Sequence, residues 1–172
     1  MLRLTGMVCI LCGSTGLGLA FARDLDLRIE ELNQLRQLML LLRGEIRYMH
    51  QPLPEAFLHL AADSFGCFGE FFRQTGQDLI RRDGQTSEEI WKRNLKQYVP
   101  GLHMTGQEQR ELEKLGSMLG YLDVEMQLNA LDYYLEQLKV SLEQAAEAVG
   151  SRRKLYQYLG VLGGMALVIL IF

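Results

Sequence analysis

What this chain has little of narrows it first. Its 172 residues include only three prolines and three cysteines. Pro52, Pro54 and Pro100 all lie in the middle, so both halves are free to form long helices. Two of the cysteines, Cys9 and Cys12, sit in an apolar N-terminal stretch, which excludes a disulfide scaffold. Basic charge is not in excess: 18 Lys and Arg face 21 Asp and Glu, for a net charge of −3. A nucleic-acid binder needs a basic surface, so that class is set aside. Charge is missing altogether from residues 4–22 and 155–172. The block between, 23–154, carries all 21 acids and is too short for a large two-domain enzyme.

Recognisable chemistry is also absent. His50, His59 and His103 are scattered, with no Cys or acidic partner at metal-ligand spacing. Cys9-Ile10-Leu11-Cys12 lies inside an uncharged run, where small membrane-helix residues explain it better than redox work. Cys67, set among phenylalanines, reads as a buried thiol. No phosphate-binding loop, nucleophile elbow or recognisable carboxylate pair occurs. His50-Gln51-Pro52-Leu53 is faintly similar to a phosphoacceptor helix but lacks an acidic residue after the histidine. The expectation is a protein without catalysis, cofactor or metal.

The uncharged ends read as membrane segments. Nineteen helical residues span roughly 28 Å, close to the ~30 Å hydrocarbon core. In the first, small residues recur every fourth position through Cys12, Gly16 and Ala20, which lets helix backbones approach in lipid. In the second, Tyr156 and Tyr158 follow Arg152-Arg153-Lys154 as an interfacial belt. There Gly160 and Gly164 form a GxxxG pair, suited to packing on the first segment through Gly16 and Ala20 or to homodimerisation. The predicted domains are thus a transmembrane helix at 1–22, a polar helical domain at 23–154 and a transmembrane helix at 155–172. Seven basic residues flank the inner ends (Arg23, Arg28, Arg36, Lys139, Arg152, Arg153, Lys154), which places 23–154 in the cytoplasm. The competing reading is a signal peptide cleaved after Ala20-Phe21-Ala22. It would leave an exported, C-terminally anchored signalling or receptor-like protein.

The middle has helical spacing throughout. Ile29, Leu32, Leu35, Met39, Leu42, Ile46 and Met49 step by three and four, predicting one apolar stripe from Asp24 to Met49. Pro52 and Pro54 break it, and Pro52 suits the start of a second helix over 53–64. Phe65, Phe68, Phe71 and Phe72 mark an aromatic third helix ending near Arg82-Asp83-Gly84. Thr86 with Glu89, and Thr105 with Glu108, are capping boxes for a fourth and fifth helix. Gly116 and Gly120 cost helix stability, so they signal close helix packing or a turn. Asp123 suits an N-cap. Leu128, Leu131, Leu135, Leu138, Leu142, Ala145 and Val149 then form an a/d seam. That seam fits a bundle helix packed on the first helix, or a coiled-coil homodimer. The fold class is all-α, a cytoplasmic bundle of about six helices flanked by the two terminal spans.

Three blocks together resemble a known family. Glu45-Ile46-x-Tyr48 followed by Pro52-Leu53-x-Glu55-Ala56 is similar to the turn motif of the stage III sporulation protein AB family. Leu115-Gly116-x-x-Leu119-Gly120-x-x-Asp123-x-x-x-Gln127 resembles its second block, and Leu159-Gly160-Val161-Leu162-Gly163-Gly164 its tail. Gln51 stands where that family is expected to have Thr. The family in turn resembles the cytoplasmic domain of the F-type platform protein of type II secretion and type IV pilus machines. The resemblance implies a non-enzymatic component of the channel between mother cell and forespore. It also implies a seat in the membrane facing the mother cell, expected to be the outer forespore membrane. Expected neighbours are a secretion-type ATPase, the channel's membrane and ring proteins and the lipid bilayer, with homo-oligomers possible. Glu45, Tyr48, Pro52, Leu53 and Glu55 are then candidates either to bind a partner or to fix the turn internally, for example through the Tyr hydroxyl.

Overall fold

The computed structural model describes residues 24–171 apart from 65, 82, 100 and 122, with side chains up to 149 except at 121. Every regular element among them is helical: α1 (24–44), a π-helical turn Glu45–Met49, α2 Leu53–Ala62, α3 Gly66–Arg81, α4 Ser87–Tyr98, α5 Gly106–Tyr121 and α6 Val124–Ile171. Glu30–Leu142 form one compact unit. The described residues outside it, 24–29 and 143–171, belong to a second. Among the described residues no helix is long and apolar enough to cross a membrane. The predicted span at 1–22 lies outside the described residues, as do the side chains of 155–172.

The helix boundaries follow from their caps. Thr86 Oγ1 accepts from the Glu89 amide at 3.2 Å while Glu89 Oε2 accepts from the Thr86 amide at 2.9 Å. The second box repeats this with Thr105 and Glu108, at 3.3 and 2.6 Å. Each box satisfies two amides that a helix start leaves orphaned. Gly84 and Gly101 take positive φ in the connections on either side of α4, as sharp helix stops require.

The core of the Glu30–Leu142 unit is the apolar stripe of α1 met by the other helices. Leu32, Leu35, Met39, Leu42 and Ile46 are all buried, with Leu112, Leu115 and Leu119 of α5 and Leu131 and Leu138 of α6 in the same cluster. Full burial of each such side chain contributes about 1.5–3 kcal/mol, as an upper estimate. Around Trp91 sits an aromatic knot, with Phe71 edge-on at 4.8 Å and Phe57 at 5.6 Å between ring centroids. It joins α2, α3 and α4.

Two expectations are corrected, and one open choice is decided. Met49 does not continue the stripe: it is 67% exposed, because the π winding after Gly44 adds a residue to the turn and rotates Met49 outward. Of the two readings of the α6 seam the bundle helix is the one observed, with Leu131 and Leu138 buried in the chain's own core. Cys67 is half-buried rather than enclosed, and burial still pushes its thiol up from the ordinary range.

Candidate functional site

The turn between α1 and α2 holds the first group of candidate residues. Its backbone closes it: the amides of His50 and Gln51 both donate to the Glu45 carbonyl, the latter at 3.5 Å. His50 adopts φ 51°, ψ 31°, the left-handed region that a non-glycine residue rarely enters. Ile46 points into the core and anchors the turn. Pro52 then begins α2, its carbonyl accepting from the Ala56 amide at 3.0 Å. Leu53 packs against the core, and Glu55 is exposed in the first turn of α2, where the helix dipole favours an acid.

Two side chains of this turn, Tyr48 and Glu45, are not part of the apolar core. Tyr48 is 74% exposed, and among the described residues its hydroxyl makes no bond that would close the turn. The Arg47 guanidinium lies 5.9 Å from its ring centroid. Below it, Glu45 is half-buried and its Oε2 has no hydrogen-bond donor, with His59 Nδ1 of α2 at 3.6 Å. Gln51 Oε1 is a second buried acceptor without a donor. One turn therefore shows an outward aromatic, an outward methionine and two underused oxygen acceptors.

The second group serves the α4–α5 contact and the α5–α6 turn. A Cβ at Gly116 would lie 2.1 Å from Trp91 Cδ1, and one at Gly120 would lie 2.8 Å from the Ser87 Cβ. The absence of both side chains lets α5 seat directly on α4. Trp91 Nε1 uses that closeness to donate to the Leu112 carbonyl at 3.0 Å. Asp123 caps α6 by accepting from the Met126 amide at 2.9 Å. Gln127 reaches back to the Leu119 carbonyl at 2.9 Å, near the end of α5. These four residues come together around one packing contact and one turn, away from Glu45 and Tyr48 in sequence. Gly16 and Ala20 lie outside the described residues, and so do the surroundings of Gly160 and Gly164.

A cavity of about 200 Å³ opens beside the same glycines, lined by Phe57, Thr75, Ser87, Trp91, Gly116 and Gly120 among others. The polar side chains that line it are Thr75, Ser87 and Trp91, of which Thr75 Oγ1 donates to the Phe71 carbonyl at 2.7 Å and Trp91 Nε1 to the Leu112 carbonyl. No set of acid, base and nucleophile converges there. Among the described residues no group of three or more His, Cys, Asp and Glu is placed to hold a metal ion.

Several ordered polar contacts were invisible in the sequence. Asp78 of α3 accepts from Arg93 at 2.7 Å, Asn94 at 3.0 Å and Gln74 at 2.9 Å. Burial works to raise its carboxyl, and these hydrogen bonds outweigh burial and hold it below the ordinary value of 3.8. Glu31 of α1 takes both the His103 amide and His103 Nδ1, at 2.7 and 2.8 Å. Arg43 of α1 bridges to Asp132 of α6 through two bonds.

The comparisons with known proteins agree with one another. A family model described as stage III sporulation protein AB matches residues 3–172. The stage III sporulation protein AB of Bacillus subtilis (strain 168) is 28% identical over 171 residues, 99% of this chain and 99% of that one. A solved structure of stage III sporulation protein AB matches with a TM-score of 0.65 at 25% identity, over 72% of this chain and 97% of that chain. The match runs through all three blocks from which the resemblance was read in the sequence.

Proposed function

The chain belongs to the stage III sporulation protein AB family, and from that premise we propose that it is a membrane-anchored platform of the channel linking mother cell and forespore. Its role is assembly, not catalysis. Residues 1–22 and 155–172 are its two anchors, and 23–154 is the cytoplasmic domain between them. The positive flanks from Arg23 to Arg36 and from Lys139 to Lys154 support that orientation. The membrane concerned is the one facing the mother cell.

The domain receives motion from a secretion-type ATPase of the same system and passes it to the channel's membrane and ring proteins. The observation that supports this docking reading most is the π turn: Tyr48 and Met49 outward, over a Glu45 carboxylate oxygen that lacks a donor. An exposed tyrosine beside an exposed methionine is the kind of side-chain pair on which interfaces are built. The apolar character of the cleft beside Gly116 supports a role without chemistry.

Co-purification of the full chain from membranes with the ATPase tests this. The wild-type chain retains the ATPase, and Tyr48→Ala and Glu45→Gln each release it. Retention by both variants, or no retention by the wild type, contradicts the docking reading.

A further inference from the structure

α1 and α6 leave a second surface of which internal contacts use only a part, chiefly Arg43–Asp132 and Glu136–Lys139. On α1, Arg36, Leu40 and Arg43 step by four and three along one row, and Leu41 lies beside it. On α6, Glu125, Asn129, Asp132 and Glu136 step by four, three and four along another. The two rows meet at the Arg43–Asp132 bridge, so they border one continuous face of the Glu30–Leu142 unit. That face is apolar on both helices. Leu40 and Leu41 are exposed on the first, and Met126, Tyr133 and Val140, seven residues apart, on the second. Large exposed side chains of this kind, gathered on one face, mark an interaction surface.

Its charges divide largely by helix, with Glu30 on α1 and Lys139 on α6 as the exceptions. The α1 side is basic through Arg36, and through Arg47 in the turn that follows. The α6 side is acidic through Glu125 and Glu136. Among the described residues Arg36, Arg47 and Glu125 enter no ion pair, while Glu136 has a base one turn on its own helix, Lys139 at 3.4 Å. A surface half basic and half acidic, with apolar residues in both halves, is complementary to itself under a two-fold rotation. In such an arrangement each basic half meets the other copy's acidic half, and every contact occurs twice.

We propose that this face is a two-fold interface with a second copy of the chain, α1 of each copy lying on α6 of the other. The arrangement differs from a coiled coil through the α6 leucine seam, which is buried within the chain. It goes beyond the docking reading and does not need an ATPase, so a host without sporulation proteins suffices to test it.

The test is site-specific photo-cross-linking of the full chain in such a host's membranes. Benzoylphenylalanine replaces Leu40, Tyr133 or, as a reference, the exposed Ile80 of α3. Products of twice the chain mass are expected from positions 40 and 133, with peptides joining α1 to α6, and none from position 80. Reversing one sign with R36E and R47E lowers the yield about tenfold, as like charges placed face to face predict. Adding E125R and E136R to the same chain restores it. Three results overturn the proposal: no doubled product from 40 or 133, an equal yield from 80, or products that join α1 to α1. Capture of a different protein in place of a second copy also overturns it.

Discussion

Trp91 of α4 packs directly against Gly116 of α5, and its indole nitrogen donates to the carbonyl one helical turn earlier, at Leu112. The two helices are closer here than any side chain at 116 would allow. This contact lies at the centre of the bundle, beside the aromatic knot, and the chain has no other tryptophan.

Gly116→Ala therefore forces a methyl group into the indole ring, against a gain of about 1 kcal/mol in helix propensity. Overpacking of this kind costs about 1–3 kcal/mol, and a ring cannot swing away as a flexible side chain can. Net destabilisation is expected, with a shifted emission from Trp91. Urea unfolding of the full chain in detergent, followed by that single fluorophore, measures it.

The two capping boxes make a pair of matched predictions. Thr86→Ala and Thr105→Ala each remove a hydroxyl that accepts a helix amide, at a cost of about 1 kcal/mol apiece. The second loses more. Glu108, the reciprocal partner of Thr105, is 2% exposed, so less water replaces the lost bond there than at the exposed Glu89. Thermal unfolding followed by far-ultraviolet circular dichroism gives both values.

Asp78 makes stability depend on pH. Its folded carboxyl is held below 3.8, so its contribution is present above the unfolded value and is lost as pH falls through the folded one. Stability should be flat through neutral pH in this respect and decline below about pH 4. Asp78→Asn removes the charge that Arg93 and Asn94 meet, costing about 2 kcal/mol at pH 7. The same variant makes the acid limb shallower. Urea midpoints at a series of pH values test the sign and the shape together.

Tyr48 separates binding from folding. With three quarters of its surface in water, Tyr48→Ala should change unfolding by under about 0.5 kcal/mol. ATPase retention should fall at least about tenfold, as for an aromatic interface anchor. An unfolding change as large as the binding change would make the residue structural instead.

Much of the fold was legible because helical spacing is local. The stripe through Leu32, Leu35, Met39, Leu42 and Ile46, both Thr/Glu boxes and the Asp123 cap all depend on residues within a few positions of each other. The α6 leucines were equally clear, but one sequence cannot say whether a seam faces its own chain or a copy. What was missed is of two kinds. Arg43–Asp132 and Glu31–His103 join residues 89 and 72 positions apart, and no local pattern marks such pairs. The turn was misread for another reason. The 3.6-residue period was carried through Met49, whereas the chain changes to π winding at Glu45 and turns Tyr48 and Met49 outward. The same change of winding gives the candidate docking turn its exposed aromatic.

Protease protection of the chain in sealed spheroplasts reaches the central claim most directly, that two terminal anchors hold the 23–154 domain on the cytoplasmic side. The account predicts that protease added outside leaves this domain whole, and cuts it only after lysis. Digestion in sealed spheroplasts would contradict it.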